Sequence, residues 1–415
     1  MIRRRMVRIA LTIVLSAAAC GANEGVPPPA DRFFYPTGLV VSPDGRFLFV
    51  ANSNFDIAFN GGSLVTVDLQ GVHERIAARP SADAPREEIS EESLLVPGSA
   101  VQIGTFANEL VLSADGRRLF ASVRGDGSVT FADVGDDGNL VCADQPSGNL
   151  PECRGRFVLG RAPNDRGLEL GREPHALALH PSGRLFVTDA DDGGVAMFET
   201  AFDTPALTNV SDEFPRGSSA IALRPGTTSE SDDFLAYVTS RDAPSVVRFG
   251  VVADAGISVD RTTSIDFLGA GGVDQRGIAF SPDYAQAYLV SRFPESLLVL
   301  DTAVDDSGRP ADEFVAAIEV AAGPAVVSVD PTSGLVYVVC FRAGQIFVVD
   351  PFLLSVVDIL LTGIGPHLLA FDPTRPVAYL AQFTESTIAV LDVDPASETF
   401  HEFLLTIGIP DPPGS

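Results

Sequence analysis

Seven copies of one sequence pattern run through this chain, and the repetition limits its possible folds more than any other feature does. The pattern is clearest at residues 36–54, PTGLVVSPDGRFLFVANSN, which GGSLVTVDLQ follows after a short gap. Apolar stretches with the alternation of β-strands are separated by turn sequences such as Pro-Asp-Gly or Pro-Ser-Gly. The turn proline, or an alanine in one copy, gives each copy an anchor: Pro43, Ala114, Pro181, Pro225, Pro282, Pro331 and Pro373.

The length and strand content of the repeat predict the fold. Successive anchors lie 42 to 71 residues apart, so the undecorated unit has about 42 residues. Each copy has three clear strands and a weaker fourth, as in AAIEVAAG and VVDILLTG. Four strands in 40–50 residues are typical of a propeller blade, which buries both faces only when the ring closes. We therefore predict an all-β, seven-bladed β-propeller of four-stranded antiparallel blades over residues 33–408. A β-sandwich or β-helix would need a different strand count per repeat.

The residues at the strand ends of the repeat also resemble those of a known family. The second strand of each copy ends in FVAN, FASV, FVTD, YVTS, YLVS, YVVC or YLAQ. The next strand ends at Asp68, Asp133, Glu199, Gly250, Asp301, Asp350 or Asp392. This pattern resembles the YVTN repeat of lactonase and surface-layer-type propellers. The resemblance implies the fold and leaves the function open, because propellers host many unrelated activities.

The N-terminus has the features of an export signal. Four arginines precede the apolar residues 9–15, and Ser-Ala-Ala-Ala leads to Cys20. This order predicts a signal peptide over residues 1–19, and the segment resembles a lipoprotein signal, which implies lipidation of Cys20. The proline-containing residues 20–32 would then be a flexible tether, and residues 409–415 a C-terminal tail. We expect a lipoprotein of the outer membrane or periplasm that contacts membrane only through this anchor. The alternative is a soluble periplasmic or extracellular protein.

The net charge limits the possible partners, and the cysteine content agrees with export. Acidic residues outnumber basic ones by 55 to 28, and the net charge of −27 excludes general attraction to nucleic acids. Cys142 and Cys153 lie in the polar stretch CADQPSGNLPEC, where an oxidising compartment favours a disulfide. Zinc would require a second cysteine pair or nearby histidines, and Cys340 is expected to be a buried strand residue.

Two insertions lengthen the first two copies. Residues 71–98 and 136–155 lie between the third and fourth strands of blades 1 and 2. Both should emerge on one face of the propeller, at neighbouring blades. They are either solvated decorations or a joint surface for a protein partner of the cell envelope.

The start of each innermost strand should line the propeller axis at one mouth. Taking the residue six places before each anchor gives the ring Thr37, Asn108, His175, Ser219, Arg276, Ala325 and His367. The loop after the second strand opens on the same face and carries Arg124, Arg241 and Arg292. We expect these side chains to form a focused binding site for a small anion or a peptide carboxylate. The alternative is that the two Pro-His pairs only fill the channel and bond to the backbone. No cofactor or metal is predicted.

A hydrolase is the alternative function. GIGPHLLAFDP and GREPHALALHP resemble the Gly-Pro-Arg-His-x-x-Phe-x-Pro signature of seven-bladed lactonases, but the arginine between proline and histidine is missing. The resemblance implies a site with His175, His367 and Arg276, and Asp189 and Asp191 are the only candidate carboxylates. We expect a binding or scaffold module of the bacterial cell envelope first, a lactone hydrolase second, and a self-assembling surface-layer component third.

Overall fold

Seven antiparallel sheets surround a common axis in the computed structural model, which describes residues 25–142, 150–226, 234–252, 256–266, 273–306 and 308–409. This confirms the predicted seven-bladed β-propeller. Cys20 and the predicted signal peptide lie outside the described residues, as do residues 410–415 of the predicted tail. No helix within the described part of the chain has both the length and the apolar character needed to cross a membrane.

Each blade runs from an innermost first strand to an outermost fourth strand. Blade 1 contains β1 (Pro36–Val41), β2 (Phe47–Asn52), β3 (Gly62–Asp68) and β5 (Val101–Ile103). Blade 2 contains β6 (Ala107–Leu112), β7 (Arg118–Val123), β8 (Ser128–Val134) and β10 (Val158–Leu159), and β9 (Leu140–Val141) also pairs with β8. Blade 3 contains β11 (Pro174–Leu179), β12 (Arg184–Asp189), β13 (Val195–Glu199) and β14 (Ala206–Ser211).

The remaining blades follow the same order. Blade 4 contains β15 (Ser218–Pro225), β16 (Phe234–Ser240), β17 (Ser245–Val252) and β18 (Gly256–Ser264). Blade 5 contains β19 (Val273–Phe280), β20 (Gln286–Phe293), β21 (Glu295–Asp301) and β22 (Glu313–Glu319). Blade 6 contains β23 (Pro324–Val329), β24 (Val336–Cys340), β25 (Gln345–Asp350) and β26 (Ser355–Leu361). Blade 7 contains β27 (Pro366–Phe371), β28 (Val377–Gln382), β29 (Thr387–Asp392) and β30 (Phe403–Ile407).

Burial on both faces explains why the middle strands of each blade consist mainly of apolar residues. Every residue of β24 and β28 is buried, because both faces of a middle strand pack against neighbouring blades. The outermost strand β26 instead alternates exposed and covered residues, since it lies at the rim. Buried tyrosines recur in the second strands of blades 4 to 7, and their hydroxyls have polar partners. These tyrosines are Tyr237, Tyr288, Tyr337 and Tyr379.

The ring closes by packing of blade 7 against blade 1. These two blades share one apolar core, and the Tyr35 backbone N–H donates to the Ser386 hydroxyl at 3.2 Å. Blade 7 uses its own fourth strand, Phe403–Ile407, which pairs with the third strand of the same blade. Residues 32–35, which precede blade 1, form no strand and add none to blade 7.

Both insertions lie between the third and fourth strands, and each one reaches back to the preceding blade. The insertion of blade 1 contains α1 (Leu69–Ala77), the 3₁₀ turn Glu91–Ser93 and β4 (Glu87–Ile89), which pairs in parallel with β30 of blade 7. In blade 2, the insertion bonds to the outer strand of blade 1, where the Gln102 N–H donates to the Pro151 carbonyl at 2.8 Å. The insertions therefore join blades 7, 1 and 2 at the rim. A joint partner surface remains a prediction.

The cysteines of the blade 2 insertion form the predicted disulfide. Cys142 and Cys153 are bonded, and Cys340 is a buried free thiol in β24. The 3₁₀ turn Gly155–Phe157 follows the disulfide and places Phe157 in the core of blade 2. A short disulfide loop stabilises the folded chain by about 3 kcal/mol, mainly by restricting the unfolded state.

Candidate axial ligand site

A cavity of about 350 Å³ lies on the propeller axis at the end where the innermost strands begin. It is lined by the whole predicted ring together with the three loop arginines: Thr37, Asn108, His175, Ser219, Arg276, Ala325, His367, Arg124, Arg241 and Arg292. The structure thus brings together residues that are up to 330 positions apart in sequence. They meet because every blade contributes the same position of its innermost strand, and blades 2, 4 and 5 add the arginine at the end of the second strand.

Three polar members of the ring hold neighbouring blades together. The Thr37 hydroxyl donates to the Ala107 carbonyl at 2.9 Å, and the Ser219 hydroxyl donates to the Gln275 carbonyl at 2.6 Å. In the same way, the Asn108 amide donates to the His175 carbonyl at 3.0 Å. Each bond joins one innermost strand to the next, so the hydrogen-bonding capacity of these side chains is largely used within the protein.

The other polar side chains of the cavity are those of four arginines and two histidines. Arg124 pairs with Glu173. Arg276 pairs with Asp274, and Arg292 lies 3.8 Å from the same carboxylate. The guanidinium of Arg241 donates to Nε2 of His175, and Arg241 has no ion pair with a carboxylate among the described residues. Four cations therefore face two paired carboxylates, which leaves positive charge in the cavity.

The pKa values reflect crowded cations in a partly dehydrated cavity. Burial, followed by repulsion from Arg276 and Arg124, lowers the pKa of Arg241 to about 10. Burial and the neighbouring guanidinium of Arg241 hold the pKa of His175 well below its ordinary value. Burial lowers the pKa of His367 to about 4. Both imidazoles are consequently neutral near pH 7, and His175 accepts the hydrogen bond from Arg241 at Nε2.

Three acidic residues of the site were not predicted, because only the residue six places before each anchor was considered. Glu173 and Asp274 stand eight places before their anchors, in equivalent positions of blades 3 and 5. Glu109 stands five places before its anchor, where every other blade has glycine or an aliphatic residue. Its carboxylate accepts from the Leu177 N–H at 2.9 Å, and burial raises its pKa to about 7. Alignment of the seven copies at these offsets would have revealed all three.

His180 and the candidate carboxylate Asp189 do not line the cavity and have structural partners. His180 contacts the Ser182 hydroxyl at 2.8 Å in the turn after β11, and its ring stacks on Phe234. Asp189 caps a turn, since its Oδ1 accepts from the N–H groups of Glu173 and Asp191. The residues that the structure describes contain no group of three side chains suited to holding a metal ion.

Two larger clefts lie elsewhere: one of about 550 Å³ between the blade 1 insertion and blade 7, and one of about 670 Å³ among the turns of blades 2 and 3. Their arginines are mixed with carboxylates: Arg118 pairs with Asp133 at 2.9 Å, and Arg117 with Asp136 at 3.3 Å. Charge in the second cleft is therefore largely balanced. The axial cavity differs, because its cations outnumber the carboxylates that pair with them.

Comparison with known proteins supports the fold alone. No protein-family model matches this sequence, and no curated protein matches it. The periplasmic gluconolactonase PpgL of Pseudomonas aeruginosa has a similar structure, with a TM-score of 0.56, 19% identity and coverage of 80% of this chain and 86% of that one. A candidate 6-phosphogluconolactonase of Bacteroides uniformis has a TM-score of 0.57, 15% identity and the same coverage. Hydrazine synthase of Kuenenia stuttgartiensis reaches 0.60 at 12% identity, over 88% of this chain and 97% of that one. The chain is a seven-bladed propeller whose structural neighbours include lactonase-like proteins and others.

Proposed function

We propose that this protein is an exported β-propeller of the bacterial cell envelope that binds a small organic anion in its axial cavity. The proposal is carried by Arg241, a cavity-lining cation without a carboxylate ion pair among the described residues, beside three further guanidinium groups. An anion there would relieve the repulsion between Arg241, Arg124 and Arg276 and would form charge-assisted hydrogen bonds. The disulfide of Cys142 and Cys153 supports export, and we propose Cys20 as the lipid anchor.

Rigidity would make the cavity selective. The ring residues Thr37, Asn108 and Ser219 fix adjacent strands to each other, so the guanidinium groups are held on a scaffold with little freedom. A site that is organised before the ligand arrives loses less entropy on binding. Loops on either face remain available to contact a protein partner of the envelope, which is the scaffold part of the proposal.

Binding should depend on pH through Glu109. We expect malonate, a small dicarboxylate without a ring, to bind more tightly as the pH falls from about 8 to about 6.5, because the Glu109 carboxyl, whose pKa is about 7, becomes neutral and no longer repels the ligand. His175 and His367 stay neutral in this window, since their pKa values are lowered. Isothermal titration of malonate across this range measures the effect.

The Glu109→Gln variant provides the test of that cause. It should bind malonate at pH 8 about as tightly as the wild type does at pH 6.5, with little dependence on pH between them. Glu92→Gln, at an exposed position of the blade 1 insertion, is the matched control and should behave as wild type. If malonate does not bind the wild-type protein at any of these pH values, the proposed function is wrong.

Lactone hydrolysis is a second candidate function. A neutral imidazole, His175, lies among guanidinium groups that could stabilise an oxyanion, and one structural neighbour is a gluconolactonase. However, Nε2 of His175 is already engaged by Arg241. Hydrolysis of δ-gluconolactone by the purified protein, abolished in His175→Ala, would replace binding as the primary function. An absence of turnover together with malonate binding would favour the binding protein.

A further inference from the structure

A cluster of aromatic rings borders the mouth of the axial cavity, and binding of an anion alone does not use it. We name this cluster the aromatic sector, and its members are Tyr35, Phe55, Phe106, Phe341 and Phe383. None of the five is buried, and Phe55 exposes 58% of its surface. Neighbouring apolar rings that are partly exposed next to a cavity are typical of a ligand-binding surface.

The rings form one connected surface with Phe383 near its centre. The Phe383 ring centroid lies 5.1 Å from that of Tyr35, 5.3 Å from that of Phe55 and 6.0 Å from that of Phe341. Phe106 extends the cluster through an edge-on contact with Phe55, at 6.1 Å. The five side chains come from the starts of blades 1 and 2 and from second-strand loops of blades 1, 6 and 7.

His367 connects this sector to the cationic cavity. Its ring lines the cavity and stacks on Phe383 with a centroid distance of 5.9 Å and an angle of 28°. Its Nδ1 atom is buried and has no hydrogen-bond partner among the described residues. An apolar surface, a buried nitrogen without a partner among the described residues and a group of guanidiniums therefore lie next to one another at this end of the axis.

The aromatic sector and the charged residues of the mouth occupy equivalent repeat positions in different blades. The end of the second strand carries arginine in blades 2, 4 and 5 and phenylalanine in blades 6 and 7. Eight places before the anchor, blades 3 and 5 have the carboxylates Glu173 and Asp274, whereas blades 1 and 2 have Tyr35 and Phe106. The charged residues at these positions thus fall in blades 2 to 5, and the aromatic residues fall in blades 6, 7, 1 and 2.

Two of the aromatic residues are held in an unfavourable backbone conformation. At the position eight places before the anchor, blades 4, 6 and 7 have glycine with positive φ. Tyr35 and Phe106 occupy the equivalent position with φ of 50° and 57°. Residues with a Cβ atom avoid this left-handed region, and such conformations are found preferentially at functional sites. The placement of large rings where glycine would be easier supports a role for the aromatic sector in binding.

We propose that the ligand is a small aromatic anion, that is, one or two flat rings bearing a carboxylate; this inference rests on the proposed function. The carboxylate binds among Arg241 and its neighbours, and the ring lies against Phe383 and His367 at the mouth. Aromatic rings favour offset or edge-on contacts with other rings, which adds affinity beyond the area that is buried.

The test compares two anions on the full protein. 2-Naphthoate is the aromatic probe, and its fluorescence can be followed because the chain contains no tryptophan. Malonate is the ring-free probe. The Phe55→Ala/Phe383→Ala variant should bind 2-naphthoate about tenfold more weakly and malonate as the wild type does. Phe55→Ala alone removes an exposed ring that is not part of the core and should show a smaller loss of 2-naphthoate affinity only.

The control variant is Phe352→Ala, which removes a ring that is 93% exposed on the outer turn of blade 6 and should change neither affinity. Unchanged 2-naphthoate affinity in the double variant would overturn the aromatic assignment while malonate binding still supports the proposed function. A wild-type protein that binds neither anion would contradict both.

Discussion

Replacement of Arg241 by alanine is expected to weaken malonate binding by about ten- to a hundredfold, the largest change in affinity for any single side chain of the cavity. Hydrogen bonds to charged groups contribute about 1.5–3 kcal/mol each, which corresponds to this loss. Arg124, Arg276 and Arg292 already contact the carboxylates of Glu173 or Asp274. Arg241 has no such ion pair among the described residues, so its guanidinium has the most to gain from a bound anion.

Two further variants separate charge from shape. Arg241→Lys keeps the positive charge but loses the planar donor pair, so we expect an intermediate affinity. Arg309→Ala is the matched control, because this arginine is 69% exposed on the outer side of the propeller. Isothermal titration gives the affinities, and thermal melting of each variant establishes that the fold is intact. Wild-type affinity in Arg241→Ala would contradict the proposed site.

Replacement of Asp312 by alanine is expected to lower the free energy of unfolding by about 3–5 kcal/mol, because it removes the buried carboxylate that pairs with a buried arginine. Asp312 precedes the outer strand of blade 5 and pairs with Arg248 of blade 4. Its other oxygen accepts from the Tyr237 hydroxyl at 2.7 Å. Both side chains of the ion pair are almost completely buried, at 3% and 1% exposure. This network fixes blade 4 to blade 5.

Graded variants test that explanation. Asp312→Asn keeps hydrogen-bonding capacity and tolerates the positive φ of 50°, so it should lose less stability than alanine. Asp260→Ala removes the second carboxylate that contacts Arg248. Because the Asp260 side chain is 30% exposed, this variant should lose less unfolding free energy than Asp312→Ala. Asp306→Ala, at an exposed position, is the control. Urea unfolding measures the differences, and a loss below about 1 kcal/mol in Asp312→Ala would show that the network is not important for stability.

The fold could be predicted because the same pattern of strands and turns occurs seven times in the sequence. Apolar period-two stretches and turn sequences at fixed offsets identify the strands, and any single weak copy is supported by the others. The same arithmetic found His175, His367 and Arg276, since one offset selects the same point of every blade, and the loop after the second strand gave the other three arginines. A ring of residues is therefore predictable from sequence in a propeller in a way that it is not in an irregular fold.

Other parts of the structure could not be predicted for identifiable reasons. The strand Glu87–Ile89 has only three residues, two of them charged, so no periodicity reveals its parallel pairing with blade 7. The structural use of Thr37 and Ser219 depends on which way their hydroxyls point, and a repeat offset does not specify that. The aromatic sector could not be predicted from one copy, because four of its five members occupy positions that hold arginine or glycine in other blades. Only a comparison across blades shows the exchange.

A crystal structure of the protein grown with 4-iodobenzoate tests the central claim most directly, because the anomalous signal of iodine locates the ring and the electron density locates the carboxylate. We predict one bound molecule in the axial cavity, with the carboxylate within hydrogen-bond distance of the Arg241 guanidinium and the iodinated ring against Phe383. Under conditions where binding is saturated in solution, an empty axial cavity with the iodine bound elsewhere on the propeller would contradict it.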